Sequence, residues 1–194
     1  MTTNLNSRLN QILPKIISAE FLSGSGLGNE IGFYIFDYSP EEELRIREHI
    51  DFLLEHLPIK KPSVRVKHIN LFDFIVGHLR NRKLLKKTFK MINERGSTFV
   101  RKQLEKILDP EKLMDAFVDE AQPGQQDLVL LSGVGSAYPM LRSHKLLNNL
   151  HSVMGTTPLV MFYPGRYDGR HLRLFGTLKN DNYYRAFELV TLVR

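Results

Sequence analysis

The sequence contains no cysteine and no long hydrophobic run, and each absence excludes a class of protein. Without cysteine the chain forms no disulfide and no thiolate metal site. No apolar stretch reaches the roughly 20 residues that a transmembrane helix needs. The first 20 residues include Asn6, Arg8, Asn10 and Pro14 and lack the continuous apolar run of a secretion signal. We therefore expect a soluble cytoplasmic protein that does not engage a membrane.

Composition and charge indicate a globular domain with an uneven charge distribution. Apolar residues make up 42% of the 194 and are spread along the whole chain without a low-complexity tract, as is typical of globular proteins. The net charge is +6, but residues 60–106 hold 14 Lys and Arg against three acids, a balance of +11. The rest of the chain is therefore acidic. We expect one positively charged surface that attracts nucleic acid or an acidic protein.

The chain alternates predicted strands with predicted helices. Apolar runs and alternation predict strands at residues 31–38, 64–71, 127–131, 158–163 and 172–175. Segments with helical periodicity follow most of them, which favours a mostly parallel, twisted sheet flanked by helices. We predict a single α/β domain over residues 1–194, with a helical insertion at about 72–120 and an antiparallel hairpin at the C-terminal edge of the sheet.

Local signals predict several helix boundaries. Ser39, Pro40 and Glu42 are typical of a capping box at a helix start. A change in the side of the apolar stripe predicts a break at residues 77–81, and Gly96 predicts the end of the helix that follows. Pro139 predicts the start of the helix after the third strand.

A glycine turn follows that strand, with the string Gly133-Val134-Gly135-Ser136-Ala137-Tyr138-Pro139. A Walker-type phosphate loop needs Lys and Ser or Thr at the helix start, but this chain has Tyr138, Pro139 and Met140 there. The dinucleotide-binding loop needs a third glycine and an acid about 20 residues later, and neither is present in order. Successive N–H groups over 133–136 also suit an anion nest. We predict a degenerate P-loop-like or AAA-like fold without a Walker A motif, with no cofactor or metal and no enzymatic activity.

Two aspartates offer the alternative of a nucleotide hydrolase. Asp37 and Asp73 lie at or just beyond predicted strand ends, at the rim where open α/β sheets bind ligands. A shared Mg²⁺ would accept such carboxylates together with water and phosphate oxygens. Acids at strand ends are also common helix caps, and neither a third ligand nor a phosphate loop accompanies these two. We favour the structural role.

Histidines and serines near the glycine turn give no catalytic pattern. His144 and His151 are separated by about 10.5 Å of helical rise, too far to bind one metal ion. Ser132, Ser136 and Ser143 lie near the turn, but no spacing identifies a base for any of them. No serine lies within a nucleophile elbow. A polar flank beside an apolar helix stripe is the simpler interpretation.

Five basic residues gather on one predicted helix face, namely Arg80, Lys83, Lys86, Lys87 and Lys90. Projection at 100° per residue places these five opposite an apolar stripe that includes Leu85, Phe89 and Ile92. Arg82, in the same segment, is a sixth candidate contact for nucleic acid. Without exposed aromatic residues this face lacks stacking platforms for single-stranded nucleic acid, and charge alone gives only non-specific binding. We favour solvation or an acidic protein partner, and nucleic-acid binding stays the alternative.

Several distinctive strings occur in the last third of the chain. After the glycine turn come Leu141-Arg142-Ser143-His144, Phe162-Tyr163-Pro164-Gly165 and Asn182-Tyr183-Tyr184-Arg185-Ala186-Phe187. With these strings in this order, the chain resembles the BrxB family of BREX bacteriophage-exclusion systems over nearly its whole length. The Tyr-Pro-Gly and Asn-Tyr-Tyr-Arg-Ala-Phe strings are the most specific markers.

This resemblance implies a small cytoplasmic component of a multi-gene antiviral defence system. Such a component acts beside a methyltransferase, an alkaline-phosphatase-like PglZ protein and large ATPases. The resemblance implies docking on the PglZ-type protein, with other BREX subunits as further partners and nucleic acid reached through the complex, in support of host DNA methylation and phage restriction. The family brings no established catalytic residues, so the matched positions are interaction candidates only. They are Arg142, His144, Arg166, Tyr183, Tyr184 and Arg185.

Overall fold

The central sheet has five strands in one path and a sixth strand paired with the middle one. The computed structural model describes residues 2–23, 32–141, 143–178, 184 and 186–191. The strands are β1 (Phe33–Tyr38), β2 (Val66–Asn70), β3 (Leu128–Ser132), β4 (Leu159–Tyr167), β5 (Leu172–Leu174) and β6 (Phe187–Glu188). Their order is β2-β3-β4-β1-β6 with parallel neighbours, and β5 pairs antiparallel with β4. The predicted α/β class with a mostly parallel sheet is confirmed.

Helices connect and cover the strands. They are α1 (Thr2–Ile16), α2 (Ala19–Ser23), α3 (Glu43–Lys60), α4 (Leu71–Asn81), α5 (Leu85–Ile107), α6 (Pro110–Ala121), α7 (Val134–Ala137) and α8 (Ser143–Met154). The three helices α4 to α6 separate β2 from β3. Within the described ranges, no helix is long and apolar enough to cross a membrane.

Helices cover both faces of the sheet, so both are buried. Successive side chains of a strand point to opposite faces. In β4, Leu159 and Met161 join a core formed with α4, α5, α6 and α8. Val160 and Phe162 join a second core formed with α1 and α3. Every residue of β3 is buried, which explains the continuous apolar run in its sequence.

The predicted end of a helix at Gly96 is confirmed. Gly96 has φ +78° and divides α5 into two helical segments. The helix at the start of the chain ends at Ile16, two residues beyond Pro14, and α2 follows it. The side chain of Asp109 accepts a hydrogen bond from the N–H of Glu111 at 3.2 Å and so caps α6.

The predicted capping box at Ser39 is wrong. The hydroxyl of Ser39 donates to the carboxylate of Glu41 and caps no backbone N–H. A short 3-10 turn, Pro40–Glu42, intervenes, and α3 begins only at Glu43. The capping sequence is present, but the tighter 3-10 turn brings the Ser39 hydroxyl to Glu41 instead of to a backbone N–H.

Two further boundaries differ from the predictions. Tyr138 has extended backbone angles, as residues before proline often do, so α7 stops before Pro139 and α8 begins at Ser143. The break between α4 and α5 falls at residues 82–84, after the predicted 77–81, where Lys83 has φ +59°. Gly77 remains helical within α4.

The antiparallel pair lies at the centre of the sheet and not at its lateral edge. Residues 165–167 at the end of β4 pair with β5. β4 is the middle strand of the path, and the lateral strands are β2 and β6. The turn between β4 and β5 therefore stands beyond the carboxyl end of the neighbouring strand β1, whose pairing with β4 ends at Tyr38 and Pro164.

Candidate functional site at the carboxyl ends of the strands

The neighbouring ends of β1 and β4 hold a buried ion pair. Nη2 of Arg8, in α1, lies 2.7 Å from Oδ1 of Asp37, in β1, and Nη1 donates to the Asp37 carbonyl at 2.8 Å. Oδ2 of Asp37 accepts from the backbone N–H of Tyr167 in β4 at 3.1 Å. Both charged side chains are only 7% exposed. The pair therefore joins α1, β1 and β4 in a setting shielded from water.

This ion pair occupies the rim at which an open α/β sheet usually binds its ligand. After β1 the chain crosses to the face covered by α3, whereas β2 and β3 are followed by helices on the opposite face, so β1 and β4 flank a topological switch point. A cavity of about 430 Å³ remains there, lined in part by Asp37, Arg166 and Phe175. Each carboxylate oxygen of Asp37 already accepts a hydrogen bond, and Arg8 neutralises its charge. The protein's own side chains thus fill much of this rim.

The alternative of an Mg²⁺ ion shared by Asp37 and Asp73 is wrong. β3 and β4 lie between β1 and β2, so the ends of β1 and β2 are separated by three strand spacings, about 14 Å. Asp73 lies in the first turn of α4, at the β2 end of this rim. Among the residues that the structure describes, no group of three or more metal-ligating side chains is found.

Close packing explains the glycines of the turn after β3. Gly133 has φ +71°, and a Cβ atom there would overlap Oδ1 of Asn70, which accepts the N–H of Phe72 at 3.0 Å to cap α4. A Cβ atom at Gly135 would lie 3.0 Å from Pro164 and 3.1 Å from Phe175. The turn therefore packs against the ends of β2 and β4.

The β4–β5 hairpin and the residues that follow it expose arginine and apolar side chains to solvent. We call this the hairpin surface, and it consists of Arg166, Arg170, Arg173, Phe175 and Leu178. Phe175 and Leu178 are 38% and 39% exposed. Phe175 also has φ +55°, a left-handed conformation that is uncommon for a bulky side chain. A strained, exposed aromatic residue among arginines is typical of a binding surface.

Asp168 fixes the shape of this loop. Its Oδ1 accepts the backbone N–H groups of His171 at 2.7 Å and Arg170 at 3.0 Å. These backbone hydrogen bonds, that of His171 first, lower the pKa of the Asp168 carboxyl, which is therefore ionised at neutral pH. Two hydrogen bonds to one carboxylate oxygen therefore define the turn between β4 and β5.

The interaction candidates implied by the sequence lie in different environments. Arg166 is exposed on the hairpin surface. Tyr184 is only 3% exposed and belongs to the core, where its backbone N–H donates to Arg170 at 2.9 Å, so its ring is not a surface contact. Arg142, Tyr183 and Arg185 lie outside the described residues. His144 is in α8, but its side chain is likewise outside the described part.

The predicted basic helix face lies on the surface. We call it the basic surface, with Arg80, Arg82, Lys83, Lys86, Lys87 and Lys90, all of which are exposed. The prediction that Phe89 belongs to the apolar stripe is wrong, because Phe89 is 59% exposed while Leu85 and Ile92 are partly buried against the core. The basic surface therefore includes an exposed aromatic ring.

The contact between His68 and Ser132 was not predicted from the sequence. Nε2 of His68 in β2 lies 2.8 Å from the hydroxyl of Ser132 at the end of β3. Burial lowers the pKa of His68, so its ring is neutral at pH 7. No carboxylate within the described ranges hydrogen-bonds the imidazole to complete a catalytic triad. Since 64 residues separate the two, no local spacing could have indicated this contact.

Comparisons with known proteins point to one family. The family model described as BREX protein BrxB matches residues 67–189. A BREX protein BrxB of Bacillus cereus (strain H3081.97) is 44% identical over 190 residues, which cover 96% of this chain and 97% of that protein. A BREX protein BrxB of Escherichia coli O9:H4 (strain HS) is 40% identical over 186 residues, covering 96% and 92%. No solved structure matches the chain.

Proposed function

The chain belongs to the BrxB family of BREX proteins, and from this membership we propose that it is a non-enzymatic interaction subunit of a BREX phage-defence system. In this proposal it docks on the alkaline-phosphatase-like PglZ protein and thereby supports host DNA methylation and phage restriction. We also propose that the fold is a degenerate P-loop-like or AAA-like one, because its mostly parallel sheet carries a glycine turn without the Walker lysine.

The hairpin surface is the observation that carries the docking proposal. Its exposed Phe175 and Leu178 supply apolar area, and three arginines around them suit an acidic partner surface. At the rim beside it, the charged groups of Arg8 and Asp37 are paired with each other and buried. A rim whose charged groups are already paired, next to an exposed surface of apolar and arginine side chains, fits a docking subunit better than an enzyme.

Substitutions on the hairpin surface are expected to separate the protein from its partner. Arg166→Glu should reduce co-purification of the PglZ-type protein at least tenfold, because an interfacial arginine is replaced by a repelling charge. Phe175→Asn should act similarly, since asparagine tolerates the left-handed backbone but removes the apolar ring. The measurement is an affinity pull-down from cells that express the complete neighbouring operon, with nuclease treatment in parallel.

Arg101→Glu is the matched control, because Arg101 is exposed on α5, far along the sequence from the hairpin. This control should retain the partner, and both Arg101→Glu and Arg166→Glu should keep the wild-type unfolding midpoint because both arginines are exposed. Retention of the PglZ-type protein by both hairpin variants would remove the hairpin surface as the docking site. A protein that recovers no partner from any mixture would count against the docking role itself.

Nucleic-acid binding is a second candidate function, favoured by the exposed ring of Phe89 within the basic surface. Aromatic rings among basic side chains let single-stranded bases stack while lysines contact phosphates. With about five phosphate contacts, affinity for a single-stranded oligonucleotide should fall by roughly two decades between 50 and 200 mM salt. Fluorescence anisotropy measures this dependence.

Phe89→Ala should then weaken oligonucleotide binding by about tenfold, the effect of losing one stacking interaction. Phe52→Ala is the control, because Phe52 is 40% exposed but lies on α3, which covers the opposite face of the sheet. Binding that is insensitive to salt, or equal loss in both variants, would reject this second function.

A further inference from the structure

A groove runs along the outer edge of β2, between α4 and α6. Its volume is about 580 Å³, compared with about 430 Å³ for the cavity at the rim. β2 is the lateral strand of the sheet and pairs on one side only, with β3. His68, Ile69 and Asn70 of β2 form one wall of the groove.

The open edge of β2 has outward backbone hydrogen-bonding groups next to this groove. The carbonyl of Arg65 accepts from the N–H of Leu128, so the backbone of Arg65 points towards β3. Because the direction alternates along a strand, the N–H and C=O groups of Val66 and His68 point outwards. In the part of the chain that the structure describes, no backbone group bonds to these outward atoms. The edge therefore has the groups that another strand needs for pairing.

A helical glycine keeps the groove open beside this edge. Gly77 lies in the interior of α4, where glycine is less favourable for the helix than alanine. A Cβ atom at Gly77 would meet nothing within 4 Å, so neither packing nor an unusual backbone angle requires glycine here. Ala116 of α6 contributes another small side chain to the lining. The two small residues leave room for an occupant.

The groove carries negative charge. Asp73, Asp119 and Glu120 line it, and only Glu120 has an ion-pair partner among the described residues, Lys67 at 2.7 Å. Burial lowers the pKa of both His68 and His78, so these rings are neutral at pH 7 and do not offset the carboxylates. The charge favours a cationic occupant and disfavours nucleic acid.

We propose that this groove binds an extended, Lys- or Arg-containing segment of another protein, which adds as a strand to the edge of β2. The backbone of the segment pairs with the outward groups of Val66 and His68, and its basic side chains contact Asp73 and Asp119. Strand addition of this kind draws affinity from the main chain and specificity from the groove lining. The site is separate from the hairpin surface and does not depend on the docking role proposed above.

The test uses synthetic eight-residue peptides of alternating lysine and threonine, with alternating glutamate and threonine as the charge control. The lysine peptide should bind the ¹⁵N-labelled protein in the millimolar range or tighter and shift the amide resonances of Val66, His68 and Gly77. The glutamate peptide should cause no such shifts. Absence of lysine-peptide binding at millimolar concentration, or equal binding of both peptides, would overturn the proposal.

Gly77→Leu is the decisive variant, because leucine fills the groove and favours the helix. It should weaken binding of the lysine peptide at least tenfold. The melting temperature should stay the same or rise, which would show that the fold is intact. Asp119→Lys, at an exposed position, should weaken the same peptide through charge alone. Unchanged affinity in Gly77→Leu, in a folded protein, would place the peptide elsewhere and contradict the strand-addition site.

Discussion

Replacing Arg8 by alanine is expected to lower the free energy of unfolding by about 3–5 kcal/mol, because the Asp37 carboxylate would remain buried without its counter-ion. The guanidinium also lies 4.4 Å from the centre of the Phe36 ring and donates to the carbonyl of Val190 at 3.3 Å. Its loss would therefore also weaken the attachment of the C-terminal segment to α1. Urea denaturation should show a lower midpoint with an unchanged slope.

Arg47→Ala is the control for this prediction. Its guanidinium lies 2.9 Å from Glu43, but the Arg47 side chain is 51% exposed, so its loss should cost less than about 1 kcal/mol. The double variant Arg8→Met with Asp37→Leu should be less destabilised than Arg8→Ala, because no buried charge is left alone. If Arg8→Ala cost no more than Arg47→Ala, the buried ion pair would not be the element that holds the rim together.

Replacing Gly165 by alanine is expected to cost about 3 kcal/mol, at the upper end of the usual range for overpacking. A Cβ atom at this position would overlap the carbonyl of Arg173 and lie 3.0 Å from the N atom of Phe175. Both are backbone atoms next to Leu174, the residue that pairs with Gly165, so they cannot move without breaking the β4–β5 pair. Urea denaturation again measures the loss, and the hairpin surface should become disordered with it.

Gly124→Ala is the matched control, because nothing lies within 4 Å of a Cβ atom at Gly124 and its backbone angles are accessible to alanine. Its stability should stay within about 0.5 kcal/mol of wild type. A similarly small change in the stability of Gly165→Ala would mean that the hairpin backbone can move to accommodate a Cβ atom. The glycine of the Tyr-Pro-Gly string would then need an explanation other than close packing.

These stability experiments complement the docking experiment on the hairpin surface. Gly165→Ala is expected to lose the partner because the surface itself is deformed. Arg166→Glu is expected to lose the partner while the unfolding midpoint stays unchanged, because Arg166 is exposed. The two results together distinguish a residue that builds the surface from one that contacts the partner.

The contacts at the rim involve the protein's own side chains. In an open α/β sheet, the carboxyl ends at the switch point are where ligand and fold meet. Here Asp37 satisfies Arg8 and the N–H of Tyr167, and the glycines after β3 admit Asn70, Pro164 and Phe175. Side chains at this rim therefore contact each other beside the cavity of about 430 Å³.

Local sequence patterns determined the class of fold and many of its boundaries. The continuous apolar run of β3 reflects burial on both faces, and Gly96 and Asp109 act on the backbone within a few residues of themselves. Such signals depend on the geometry of residues that are close together in the sequence, so they can be recognised from the sequence alone. Family membership was likewise carried by strings that the sequence displays, and the comparisons confirm it.

The site depended on contacts that no local pattern encodes. Arg8 and Asp37 are 29 residues apart and His68 and Ser132 are 64 apart, so only the folded chain brings them together. Helical projection placed Phe89 in the apolar stripe but could not show where the core ends along the helix. The exposure of Phe89 was therefore not predicted. The sequence by itself determined strands, helices and family, because these follow from neighbours along the chain. The tertiary structure decided which charged groups are paired at the rim and which side chains are exposed, because both depend on packing between elements that are distant in the sequence.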